Sequence, residues 1–138
     1  FFENDPNLHL VAGVEEIIKY FYEKNCTLIL ASSSAMVNIN RVFDRFKLHS
    51  YFSAKISGAD LTASKPHPEI FEKAALLANT SKENCIVIED SDNGITAAND
   101  AGIFVFGYAN KLSEGQTLEN ADAVIDSFSS LKKIIKKP

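Results

Sequence analysis

Three short runs of this chain are apolar almost without interruption: CTLILA at residues 26–31, CIVI at 85–88 and IFVFGYA at 103–109. Polar residues do not alternate within them, so each reads as a strand with no face left for water. Strands buried on both faces belong to parallel sheets covered by helices. The intervening segments carry the complementary pattern. Val14, Ile17, Ile18 and Phe21 recur at helical spacing, as do Met36, Ile39, Val42, Phe43 and Phe46.

The rest of the chain continues the alternation. AKISGAD at 54–60 is a short strand candidate leading into the loop LTASKPHP. Pro68 suits the first turn of a helix whose inner face is Ile70, Phe71, Ala74 and Leu77. Residues 94–101 read as a helix, small on one side and closed by Gly102. ADAVID at 121–126 is a weaker last strand, and Ser129 or Ser130 can cap a terminal helix. Helices alternating with apolar strands predict an α/β fold, a Rossmann-like three-layer arrangement around a mostly parallel sheet. At 138 residues, 46% of them hydrophobic, the chain suffices for one domain with its own core.

Charge and cysteine usage exclude several functions. Fourteen basic residues against eighteen acidic give a net charge of −4, without the basic stripe that a nucleic-acid partner requires. The one basic cluster, LKKIIKKP at the end of the chain, has the spacing of a short helix whose lysines face water. Cys26 and Cys85 lack metal-ligand spacing and read as small buried thiols of a reducing compartment. No apolar run approaches membrane-spanning length and no signal-peptide pattern opens the chain. A soluble cytoplasmic protein is expected.

The chemistry gathers at the strand ends, where ligands of parallel sheets bind. CIVIED stops on two adjacent carboxylates, Glu89 and Asp90. Asp90 or Asp92 can cap the helix that follows, but a cap explains one acid and not two in a row, whose repulsion needs an offsetting charge. A Mg²⁺ ion supplies it, since Mg²⁺ takes one or two carboxylates with waters and phosphate oxygens. Lys65, in SKPHPEIF, is pinned by Pro66; its ammonium can neutralise a phosphoryl group, or pair with Asp90 when no ligand is bound. Ser32, Ser33 and Ser34 follow the first strand, where serines cap helices and where hydroxyls and backbone N–H groups also hold anions. ASSSA lacks the G-x-S-x-G elbow of serine hydrolases, and His9, His49 and His67 offer no evident base. The set suits phosphoryl transfer, in which positioning and charge neutralisation carry most of the catalysis. It contains no convincing nucleophile.

These residues resemble the haloacid dehalogenase (HAD) superfamily of phosphotransferases, in its branch of β-phosphoglucomutases and sugar-phosphate phosphatases. The resemblance runs from LVAGVEEII to ADAVIDSF. LILASSS looks like the family's second motif, SKPHPEIF like its third and VIEDSDNGITAANDAG like its fourth. It implies Ser32, with Ser33 beside it, and Lys65 as phosphoryl holders, and Glu89 and Asp90 as ligands of Mg²⁺. The implied activity is Mg²⁺-dependent phosphoryl transfer on a small phosphorylated metabolite such as a sugar phosphate, by a phosphatase or a mutase. Asp92 is left as a helix cap or an outer partner of the metal site.

The family's first motif, Asp-x-Asp-Gly-Thr, supplies the nucleophile and the acid/base, and no Asp-x-Asp precedes LILASSS. The resemblance therefore implies the C-terminal part of a capped enzyme: residues 1–12 a linker returning from a helical cap, residues 13–138 a core fragment. Such a chain is expected to be inactive alone; the alternative is a non-catalytic Mg²⁺- and phosphate-binding or interaction module. In the family the first strand lies between those matching CTLILA and CIVIED. Without it the two edges are expected to pair directly, to take a strand from a second chain in self-association, or to flank a strand outside these residues.

Overall fold

The computed structural model describes residues 14–109, 115–127 and 129–131. Helix α1 (Val14–Glu23) leads to strand β1 (Ile29–Ser32), helix α2 (Met36–Phe46) and strand β2 (Ala54–Ser57). After a 3₁₀ turn at Gly58–Asp60 come α3 (Glu69–Ala78), β3 (Ile86–Glu89), α4 (Asp92–Ala101), β4 (Phe104–Tyr108) and β5 (Ala123–Ile125). Every strand pairing is parallel: β1 with β2, β3 with β4 and β4 with β5. The α/β expectation holds, and no helix among the described residues is long and apolar enough to cross a membrane.

Side chains leave successive strand positions on opposite faces, which sorts the core into layers. Ile29, Ala31, Val87 and Val105 pack toward Ile70, Phe71 and Ala75 of α3 and Ile95, Ala97 and Ala98 of α4. On the other face, Leu28 and Leu30 meet Ile18, Ile39 and Phe43, while Phe106, Tyr108 and Ile125 meet Ile17 and Leu131. Layers therefore cover the sheet on both sides, as the unbroken apolar runs require.

The sheet is in two pieces among the described residues, β1–β2 and β3–β4–β5. Direct pairing of β1 with β3 is not what forms. Pairing needs the strands about 4.8 Å apart, and here the helix layer sets their separation: α3 rests on β1 and β2, α4 rests on β3 and β4, and the two helices pack on each other. Between the pieces lies a cavity of about 1260 Å³, walled by Ile29, Leu30 and Ala31 on one side and Ile86, Val87 and Ile88 on the other. For the same reason β1 is only half-buried along its length, contrary to the expectation of a strand closed on both faces. β4, flanked on both sides, is buried from Val105 to Tyr108.

Several local expectations change in three dimensions. Pro68 is the residue before α3 rather than inside its first turn. The inner face of α3 is Ile70, Phe71 and Ala75, with Ala74 half-buried, whereas Leu77 is exposed. Ser127, not Ser129 or Ser130, caps the helical residues 129–131, its hydroxyl accepting from the Ser130 N–H at 3.1 Å. Cys26 is exposed and Cys85 half-buried, both free thiols. The linker at 1–12 and the lysines after Leu131 lie outside the described residues.

Two apolar residues seven positions apart on α3 thus have opposite environments. Ile70→Ala should cost about 2–5 kcal/mol through lost burial and the cavity it leaves. Leu77→Ala should stay within about 0.5 kcal/mol of the parent. Urea unfolding midpoints of the two variants check this, and a comparable loss at Leu77 would contradict the packing of α3.

Candidate active site at the carboxyl ends of the strands

Ser32 ends β1, Glu89 ends β3, and Lys65 lies between the turn after β2 and the start of α3. These three, with Ser33 and Asp90, line one end of the cavity between the sheet pieces. The constellation expected from strand ends is therefore a spatial one.

Its centre is Lys65. The ammonium donates to the carbonyl oxygen of Ala31 at 3.1 Å and to Glu89 Oε2 at 2.5 Å. It also stands 5.2 Å from the centroid of the Phe71 ring, a cation–π distance. Both side chains of the pair are only 10% exposed. The lysine thus pairs with Glu89, not with Asp90 as expected. Glu89 is the last residue of β3 and its carboxylate meets the ammonium, while Asp90 is already past the strand end.

The other oxygen of Glu89 is held as well. Oε1 accepts from the Asp90 N–H at 3.2 Å and from the Ser91 hydroxyl at 3.3 Å. Gly94 provides the room: a Cβ there would fall 2.0 Å from Glu89 Cδ. The glycine of EDSDNG is therefore the floor on which the carboxylate lies, a role its place in a helix did not reveal.

Capping differs from expectation at both helices of the site. Ser91 caps α4, its hydroxyl accepting from the Gly94 N–H at 3.1 Å. Asp92 is instead the first helical residue and its carboxylate turns outward to Thr117 and Leu118. Those backbone N–H groups hold its carboxyl below the ordinary carboxylate range. At α2 the residue before the helix is Ala35, with no side-chain cap. Ser32 accepts from the Ser34 N–H at 3.1 Å, folding the loop after β1 on itself.

Two contributors lie outside the set of site residues expected from the sequence. Ser57, buried at the end of β2, donates to the Ser34 carbonyl at 2.6 Å and ties that loop to the neighbouring strand. His67 accepts the Glu69 N–H through Nδ1 at 3.1 Å and so satisfies the opening turn of α3. Its sequence signal was only a polar residue two positions before a helix.

Chemically, the site offers an ammonium, a hydroxyl beside a loop of backbone N–H groups, and two carboxylates. No group of three or more His, Cys, Asp or Glu side chains able to hold a metal occurs among the described residues. Two carboxylates are nonetheless the number with which Mg²⁺ is commonly held when phosphate oxygens and water complete its shell, so the donor set fits. The Cys85 thiol stands at the opposite end of β3 from Glu89, and burial, with Glu83 nearby, pushes it up.

Gly94→Ala tests the seat of Glu89. Replacing a helical glycine with alanine ordinarily stabilises by up to about 1 kcal/mol. Here the methyl group displaces a carboxylate from its lysine, and breaking such a buried pair is strongly unfavourable. Thermal unfolding should show Gly94→Ala as destabilising in the parent and neutral or stabilising in a Glu89→Ala background. Equal effects in both backgrounds would remove the proposed seat.

The sequence matches the haloacid dehalogenase-like hydrolase family over residues 2–108. It is 32% identical to the β-phosphoglucomutase of Bacillus subtilis over 122 residues, 88% of this chain and 51% of the relative. It is 33% identical to a phosphorylated carbohydrates phosphatase of Thermotoga maritima over 113 residues, 81% of this chain and 52% of the relative. Among solved structures, a β-phosphoglucomutase from Clostridium difficile superposes with a TM-score of 0.78 at 31% identity, covering 99% of this chain and 57% of that one. The chain spans about half the length of the curated relatives it matches. With the family matched across most of its length and its fold shared with a solved phosphomutase, this chain belongs to the haloacid dehalogenase-like hydrolases.

Proposed function

We propose that this chain provides the phosphoryl- and Mg²⁺-binding half of a phosphotransferase acting on a small phosphorylated sugar. The observation that carries the reading is Lys65, whose ammonium is shared between Ala31 of β1 and Glu89 of β3 at the mouth of the cavity. A cation fixed there by two elements can meet a dianionic phosphoryl group without first being ordered. Relatives named β-phosphoglucomutase and phosphorylated carbohydrates phosphatase support the substrate class.

In this reading Lys65 neutralises one non-bridging oxygen of the phosphoryl group. The Ser32 hydroxyl and the exposed Ser33, at the turn before α2, take another through O–H and backbone N–H donors. Glu89 and Asp90 would hold Mg²⁺, which supplies charge neutralisation and orientation to the transferring group. Ser91 keeps Glu89 aimed by donating to its Oε1 while capping α4.

Lys65, Glu89 and Ser32 are each unsuited to receive the phosphoryl group. Lys65 is a cation held in an ion pair, Glu89 is its partner, and Ser32 has no general base in hydrogen-bond contact among the bonds described. The resemblance assigns that role to an Asp-x-Asp carboxylate, which the sequence before β1 lacks. The 138-residue polypeptide alone is therefore expected to bind without turning over.

Calorimetric titration of this polypeptide with Mg²⁺, then with orthophosphate in its presence, tests the reading. Asp90→Asn should weaken Mg²⁺ binding at least tenfold, about 1.4 kcal/mol, with the fold retained. Ser32→Ala and Lys65→Ala should weaken orthophosphate binding. A parent chain silent to both ligands would overturn the assignment and favour an interaction module. Sustained phosphatase turnover abolished by Lys65→Ala would overturn the expected inactivity.

A further inference from the structure

We propose that Asp92 and Gln116 form a clamp that positions the metal-binding turn, so that Asp92 acts on Mg²⁺ affinity through geometry rather than as a ligand. The inference rests on the function proposed above.

The contacts are reciprocal. The first N–H groups of a helix have no partner within it. In α4, Ser91 serves the N–H of Gly94, and Gln116 Oε1 accepts that of Asp92 at 2.7 Å. In return the Asp92 carboxylate accepts three bonds from the connection between β4 and β5. Oδ2 takes the Thr117 N–H at 3.0 Å; Oδ1 takes the Leu118 N–H at 2.8 Å and the Thr117 hydroxyl at 3.3 Å. Helix backbone bonds loop side chain, and helix side chain bonds loop backbone. This is the logic of a capping box closed between segments 24 to 26 residues apart.

Leu118 shows that the loop is held and not merely adjacent. Its φ is +54°, a left-handed conformation unusual for leucine, yet its side chain is 4% exposed within the core of α3 and α4. Such a residue persists only where its surroundings over-determine it. Below, Leu118 sits over Gly107 of β4, where an added Cβ would approach its own Cβ to 3.3 Å. Above, its N–H is fixed by Asp92.

The turn from Glu89 to Asp92 is thereby attached at both ends. Inward, Lys65 and Ser91 fix Glu89; outward, the loop fixes Asp92. Asp90 stands between the two attachments. A displacement of the turn would displace its carboxylate with it.

Mg²⁺ titration of the 138-residue chain and of Asp92→Ala and Gln116→Ala, each at low and high salt, decides the matter. Both variants should bind Mg²⁺ several-fold or more weakly, with the loss persisting in high salt. Amide exchange at Thr117 and Leu118 should accelerate in both. Gln116→Ala changes no charge and removes an exposed side chain, so it reports even if Asp92→Ala folds poorly. A loss confined to Asp92→Ala and vanishing with salt would show a through-space charge effect and overturn the clamp. Unchanged Mg²⁺ affinity with faster amide exchange would make the contacts a loop staple only, which also overturns it. A parent chain without Mg²⁺ binding would overturn this inference together with the function on which it rests, an outcome distinct from the other two.

Discussion

The ammonium of Lys65 is a polar link between the two pieces of the sheet. It donates to the last carbonyl but one of β1 and to the carboxylate that ends β3, across the cavity separating those strands. No backbone ladder among the described residues joins the strands, so their relation rests on helix packing below and this ion pair above. A pair only 10% exposed carries a desolvation cost that its Coulomb attraction need not exceed. Hydrogen bonds from Ser91 and from the Asp90 backbone, and the Phe71 ring beside the cation, complete the satisfaction of both charges. The arrangement is better understood as a device for geometry than as a source of stability.

That device depends on small residues around it. Gly94 leaves space for Glu89, and Gly58 lets the end of β2 approach the loop after β1, where an added Cβ would come within 3.2 Å of Ser33 Cα. Ser57 then fixes that loop through the Ser34 carbonyl. The positions that shape the site are therefore largely ones without chemistry of their own. Their requirement is steric, and it is felt only once the strands are side by side.

This explains what could be read from the chain and what could not. Unbroken apolar runs with helical stretches between them specify a covered parallel sheet, because burial on both faces is a property of the run itself. Strand ends followed by Ser32, Lys65 and Glu89–Asp90 could likewise be placed at one edge by topology alone. What eluded the sequence was choice among near-equivalent neighbours. Ser91 and Asp92 are both good caps, and a partner 25 residues away drew Asp92 elsewhere. Ser127 was preferred to Ser129 and Ser130 by a shift of two or three positions. Leu77 and Ala75 differ by half a turn, and the face that α3 turns to β1 decided between them. Lys65 had two carboxylates within sequence logic, and the direction of the last strand residue selected Glu89.

Binding and transfer place different demands on such a site. Holding a phosphoryl group requires fixed donors and positive charge, which Lys65 and the loop after β1 can supply from elements already packed. Accepting it requires an unpaired nucleophile aligned with the leaving oxygen. The contacts that fix Glu89 engage both of its oxygens, which suits it to orienting a cation through a remaining lone pair rather than to attack. A carboxylate that orients charge must be held by its neighbours, whereas one that attacks phosphorus must keep an oxygen available. Because these requirements oppose each other, a residue that shapes such a site by being held is a poor acceptor, and Glu89 is of that kind.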